Sequence, residues 1–162
     1  IHEKLSSVPR LITADNILEK LLLIDKTLRE KWRIKKPKIA VLGLNPHAGE
    51  KGLIGREEIK IISPAVVRAV KLGIEAVGPV SAEAGLRMCL EGRADAMLAM
   101  YHDQGLIPLR MIAFDKGVNV TVGLPFVRTS PDHGTAYDIA WKGIADPSSM
   151  IEAIKLAVRL RN

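Results

Sequence analysis

Ile39-Ala40-Val41-Leu42-Gly43-Leu44 is an unbroken apolar run of strand length that stops at Asn45-Pro46-His47-Ala48-Gly49-Glu50, a loop carrying a histidine. An apolar run without alternation is what a parallel strand buried on both faces requires. A second run, Ala96-Met97-Leu98-Ala99-Met100, stops in the same way at Tyr101-His102-Asp103-Gln104-Gly105. Both imidazoles therefore fall at strand ends. In open parallel sheets ligands collect at the carboxyl ends of strands, so His47 and His102 form a candidate metal or catalytic centre, with His2 as a third candidate.

Around these runs helical and strand patterns alternate. Thr13 is placed to cap a helix over residues 14–32, whose apolar positions Ile17, Leu18, Leu21, Leu22, Ile24, Leu28 and Trp32 share a face, with Asp15 in the first turn. The strand at 39–44 leads into a loop punctuated by Gly49, Gly52 and Gly55. Residues 56–62 and 64–72 are both helical in pattern, Pro64 suiting a first turn and Gly73 an end. A short strand at 76–78, a helix at 82–90 and a strand at 94–100 follow. A β-branched strand at 118–123 and a last helix at 147–160 complete the chain. The alternation predicts one α/β unit on a mainly parallel sheet with flanking helices.

With 162 residues, 48% of them hydrophobic and 26% charged, the composition is that of a soluble domain with a core and excludes a disordered chain. No apolar run approaches a membrane span, and Ile1-His2-Glu3-Lys4 has neither an initiator Met nor a signal-peptide pattern, so the chain is expected to start part-way through a longer sequence. The single cysteine, Cys89, lies in a helical stretch as a small buried residue, which fits a cytoplasmic protein. A net charge of +6 and a pI near 9.6 raise nucleic-acid binding as a possibility. Against it, the cations are interleaved with acids, and the densest cluster, Lys31-Trp32-Arg33-Ile34-Lys35-Lys36-Pro37-Lys38, sits at a helix C-terminus, where the macrodipole favours cations. The charge is assigned to anionic substrates.

The glycine loop is neither G-x-G-x-x-G nor G-x-x-x-x-G-K-[ST], so no dinucleotide or P-loop fingerprint is present. Residues 123–138 carry Arg128, Thr129, Ser130, Asp132, His133, Thr135 and Asp138 after a strand, a density of hydrogen-bonding groups suited to an anion or a ribose.

Leu44 to Glu50 with Leu53-Ile54-Gly55-Arg56-Glu57-Glu58, then Tyr101 to Pro108, then Gly117-Val118-Asn119-Val120-Thr121 through Ser130 and Asp132-His133-Gly134-Thr135-Ala136 follow one another in a familiar order. In that order the chain resembles the 4-hydroxythreonine-4-phosphate dehydrogenase family of pyridoxal phosphate biosynthesis. The resemblance implies an isocitrate/isopropylmalate dehydrogenase-like fold, with residues 1–162 as the C-terminal, metal-binding and dimerising portion of a two-domain enzyme. It also implies that His2, His47 and His102 ligate one divalent cation, zinc, magnesium or cobalt. In the homodimer His2 and His47 would come from one subunit and His102 from the other.

Arg110, Asn119 and Arg128 would meet the substrate, and His133, Gly134 and Asp138 the NAD or NADP cofactor, although His133 and Asp138 also suit a turn and a helix cap. Asp103 would serve catalysis by orienting a ligand histidine, or else cap the next helix. The implied reaction is metal-dependent oxidation of 4-phosphohydroxy-L-threonine by NAD, then decarboxylation to 3-amino-2-oxopropyl phosphate, with no nucleic-acid or membrane partner. Two alternatives stand beside it: a related four-carbon sugar-acid 4-phosphate as substrate, or a metal-binding dimerisation half without activity. Arg110 stands where the family commonly has Lys, Lys51 and Trp141 where glycine is usual, and residues 78–83 depart from the expected Pro-Ala-Asp-Thr segment.

Overall fold

The structure is a computed structural model and describes residues 2–161. It divides into two compact units, Ile1–Leu106 and Ile107–Asn162, where the sequence pattern predicts one.

The first unit opens with a short helix α1 (Val8–Leu11) and the long helix α2 (Ala14–Glu30). Thr13 caps α2 as expected, its Oγ1 accepting the Asn16 N–H at 3.2 Å. The helix ends at Glu30 rather than at 32, and Arg33, at φ 61°, turns the chain toward β1 (Lys38–Leu42). A π-helical turn, Glu58–Ile62, runs straight into α3 (Ser63–Lys71), so the two helices predicted at 56–62 and 64–72 are one continuous segment. Pro64 lies in the first turn of α3, at the junction with the π-helical turn. Then come β2 (Glu75–Val80), with a cis Gly78–Pro79 bond, α4 (Ala82–Leu90), capped by Ser81, and β3 (Ala96–Leu98). Cys89 on α4 is half-buried rather than buried, and partial desolvation raises its thiol pKa.

The strands pair in parallel in the order β2-β1-β3. Ile39, Ala40, Val41 and Leu42 of the central strand are fully buried. Ile39 and Val41 join Leu21, Ile62, Ala65 and Ala69 in one core, so α2 and α3 cover that face. On the other face Leu42 packs so closely on α4 that a Cβ at Gly85 would collide with it. Burial on both sides explains the uninterrupted apolar sequence.

Helix α5 (His102–Ala113) crosses the division. In the second unit β4 (Val118–Thr121) and β5 (Arg128–Pro131) form an antiparallel hairpin with Asn119 opposite Ser130 and Thr121 opposite Arg128. A parallel sheet thus accounts for the first unit only. The polar stretch at 123–138, for which the sequence pattern predicts no strand, contains β5, whose Arg-Thr-Ser-Pro sequence hides its strand character behind polar side chains. Helix α6 (Ser148–Arg161) packs on both strands, and Thr129 Oγ1 donates to the Ala153 carbonyl at 2.9 Å. Among the described residues no helix is long and apolar enough to cross a membrane.

Candidate functional site

The carboxyl end of β1 is tied down by side chains from far along the chain. Glu58, only 2% exposed, accepts the backbone N–H of Leu44 at 2.8 Å and of Asn45 at 2.7 Å on Oε1, and Asn45 Nδ2 at 3.0 Å on Oε2. Asn45 Nδ2 also donates to Glu57 Oε2 at 2.8 Å. Its own backbone N–H, the Asn45 amide and the Arg56 N–H hold the Glu57 carboxyl below the ordinary carboxylate range.

This clamp precedes an unusual turn. His47, Ala48, Gly49, Glu50 and Lys51 all lie in the left-handed region, at φ 53, 52, 77, 42 and 56°. Four are not glycine, and each such residue costs about 1–2 kcal/mol relative to a right-handed conformation. The turn persists only because neighbouring contacts over-determine it. His47 is exposed on it.

His102 begins α5 and is about one-third exposed. Its Nδ1 lies 2.7 Å from Asp103 Oδ1, which leaves Nε2 as the outward nitrogen. Asp103 is the second residue of α5, and its carboxylate meets the ring of the residue before it. Gln104 anchors the same turn: its Oε1 accepts the Met100 N–H and its Nε2 donates to the Gly43 carbonyl, both at 2.7 Å.

The His2 and His102 rings lie 4.9 Å apart between centroids, tilted by 49°. That separation puts the two imidazoles in ring contact. Among the described residues no three His, Cys, Asp or Glu side chains converge as a metal set, and His47 does not join the pair within one chain. Inside the chain the His2 ring thus meets that of His102.

In the second unit Asn119, Thr121, Arg128 and Ser130 share the hairpin face opposite the one on α6. Arg128 Nη1 donates to Thr121 Oγ1 at 2.7 Å, and Asn119 is exposed beside them. Arg110, half-exposed, lies 3.4 and 3.5 Å from the Asp132 carboxylate, a loose pair. His133, Gly134 and Asp138 follow on an exposed segment where His133 Nδ1 faces the Gly134 carbonyl at 2.9 Å. Asp138 lies in the short turn Tyr137–Ile139.

The family model described as pyridoxal phosphate biosynthetic protein PdxA matches residues 1–157. The chain belongs to the PdxA family. A curated relative from Sulfurihydrogenibium sp., named 4-hydroxythreonine-4-phosphate dehydrogenase, is 54% identical over 99% of the chain and 49% of its own length. The relative of that name from Aquifex aeolicus is 55% identical over 96% and 48%. The chain spans about half the length of the curated relatives it matches. The crystal structure of the Klebsiella pneumoniae enzyme of that name matches with a TM-score of 0.89 at 43% identity, covering 99% of this chain and 49% of that one. A terephthalate 1,2-cis-dihydrodiol dehydrogenase from Burkholderia xenovorans matches at 0.77 and 31%, covering 98% and 50%. These PdxA neighbours have the isocitrate/isopropylmalate dehydrogenase-like fold that the chain shares.

Asn45, Glu57, Glu58 and Gln104 lie within the PdxA signature stretches, but their sequence context alone assigns them no role. The one available signal is an acid, Glu58, at the head of a helical stretch that carries Ile59, Ile61 and Ile62. A buried carboxylate needs donors, and only the fold shows where they are.

Proposed function

We propose that this chain is the C-terminal half of a 4-hydroxythreonine-4-phosphate dehydrogenase that contributes cation ligands and part of the substrate site. The observation that carries the reading is the His2–His102 pair, oriented by Asp103, in a chain whose relatives of that name match along almost its whole length. His2, His47 and His102 would hold zinc, magnesium or cobalt, which when bound supplies a Lewis acid for the substrate hydroxyl and for the ketone it becomes. NAD, or NADP, would accept the hydride.

The chain's own groups set the rest. Asp103 fixes the His102 ring so that one nitrogen faces outward. Arg128 and Arg110 offer planar forks to an anion such as a phosphate, and Asn119 lies on the Arg128 face to orient a polar neighbour. Oxidation of the hydroxyl carbon of 4-phosphohydroxy-L-threonine gives a β-keto acid, which loses carbon dioxide to leave 3-amino-2-oxopropyl phosphate. We assign the three histidines to a site shared between the subunits of a homodimer, as the PdxA resemblance implies. We place the enzyme in the cytoplasm, without nucleic-acid or membrane partners.

The test uses the full-length form, stripped with a chelator and reloaded with each metal. NAD and NADP reduction is measured with 4-phosphohydroxy-L-threonine, a four-carbon sugar-acid 4-phosphate and the terephthalate cis-dihydrodiol. Metal-restored reduction with the first substrate supports the reading. Turnover only with another reassigns the substrate, and none with any overturns the enzyme.

A further inference from the structure

We propose that Glu58 is a positioning residue for His47: its buried carboxylate is the post around which the left-handed turn is wound, and that turn decides where the imidazole is presented. The inference rests on the functional reading of His47 but adds a residue to which that reading gives no part.

Three donors converge on one acceptor-only side chain. Leu44 N–H and Asn45 N–H reach Oε1, and Asn45 Nδ2 reaches Oε2, so the two residues before Pro46 are fixed in space. The turn then passes close over the same carboxylate. A Cβ at Gly49, which sits at φ 77°, would lie 2.5 Å from Oε2, and one at Gly43 would lie 3.2 Å from Oε1. On its far side the loop is closed by Ile54 N–H donating to the Gly49 carbonyl at 3.2 Å. The carboxylate is thus enclosed by residues 43–45 on one side and by residue 49 on the other. His47 lies between those two contacts, in a conformation its own side chain disfavours.

The chemistry of the clamp separates positioning from general support. A glutamine at 58 keeps the volume and one oxygen but sets an NH2 against a donor, so the three bonds cannot all form. Alanine removes every acceptor. The effect on His47 should therefore grow from Glu58→Gln to Glu58→Ala.

The experiment uses the full-length protein and both variants. Backbone couplings and NOEs of residues 47–51 report the positive φ angles, the His47 imidazole 1H–15N shifts report its placement, and titration with Co2+ alone reports affinity. With cooperative unfolding retained, we expect the left-handed signature to weaken, the His47 shifts to move, and Co2+ affinity to fall by about tenfold or more, as when a ligand's support is removed. Unchanged couplings and shifts in folded Glu58→Gln and Glu58→Ala overturn the proposal. So does failure of both variants to fold, because Glu58 would then hold the fold as a whole. If only Glu58→Ala fails to fold, Glu58→Gln decides. Should the unaltered protein bind no Co2+, the metal reading fails while the couplings still decide the role of Glu58.

Discussion

Gln104 Nε2 donates to the Gly43 carbonyl at 2.7 Å, joining the first turn of α5 to the end of β1 across 61 residues of sequence. Because its Oε1 also takes the Met100 N–H, one amide bridges the strand that ends before each histidine loop. Gln104→Glu keeps the acceptor but faces the Gly43 carbonyl with a second oxygen. It should lose about 1–3 kcal/mol of stability, the range for a part-buried group left unpaired. An unchanged denaturant midpoint would show that the bridge contributes nothing.

The histidines allow a genetic test that does not depend on which subunit supplies His2. Whether the chain contributes His2 with His102 or His2 with His47, a shared site takes His47 and His102 from different subunits. Full-length His47→Ala and His102→Ala proteins, each inactive, should regain activity in about a quarter of sites after random subunit exchange, since about half the dimers are mixed and one of their two sites is complete. Pairing His2→Ala with each variant then identifies its partner. Rescue by His47→Ala fits the 4.9 Å His2–His102 pair, and rescue by His102→Ala fits the opposite division. Confirmed exchange with no recovery refutes the shared site.

Ser149 connects both strands of the hairpin to α6. Its buried Oγ donates to the Gly117 carbonyl at 2.9 Å and accepts the Asp132 N–H at 3.1 Å. Ser149→Ala leaves both backbone groups without that partner and should destabilise the protein by about 1–3 kcal/mol. Thermal unfolding measures this, and a shift within error would mean that the strand ends relax to other partners.

Glu57 makes part of the stability acid-sensitive. Its folded-state pKa is depressed by its own N–H and the Asn45 amide, so its contribution is fully present above the ordinary carboxylate range. That contribution is lost as the pH falls from that range through the lowered native value. The stability difference between the unaltered protein and Glu57→Gln should be constant near neutrality and shrink as the pH drops toward 3, about one unit below an unperturbed Glu. A difference that grows on acidification reverses the sign and refutes the assignment.

Arg110 is held only loosely by Asp132 and is free to turn toward an anion. In the full-length enzyme Arg110→Ala should lower kcat/KM by about tenfold or more, as for a lost charge-assisted bond. Its stability should change by less than about 1 kcal/mol, since Arg110 is half-exposed and its contact with Asp132 is long. Unchanged kinetics would remove Arg110 from the substrate site.

The sequence by itself determined what is local. Continuous burial of residues 39–42, the cap at Thr13 and the extent of α4 follow from periodicity and capping, which act over a few residues. The ordered signatures, read as a resemblance, identified the family. Tertiary structure decided the remainder. β5 is held where Thr129 donates to the Ala153 carbonyl of α6, a contact invisible in a polar stretch. His47 sits on a left-handed turn because Glu58, eleven residues further along, gathers the donors before it. Propensity argues against four non-glycine residues at positive φ, and only long-range contacts overcome it. The meeting of His2 with His102 is likewise set by packing, since nothing within the reach of periodicity relates residues so far apart.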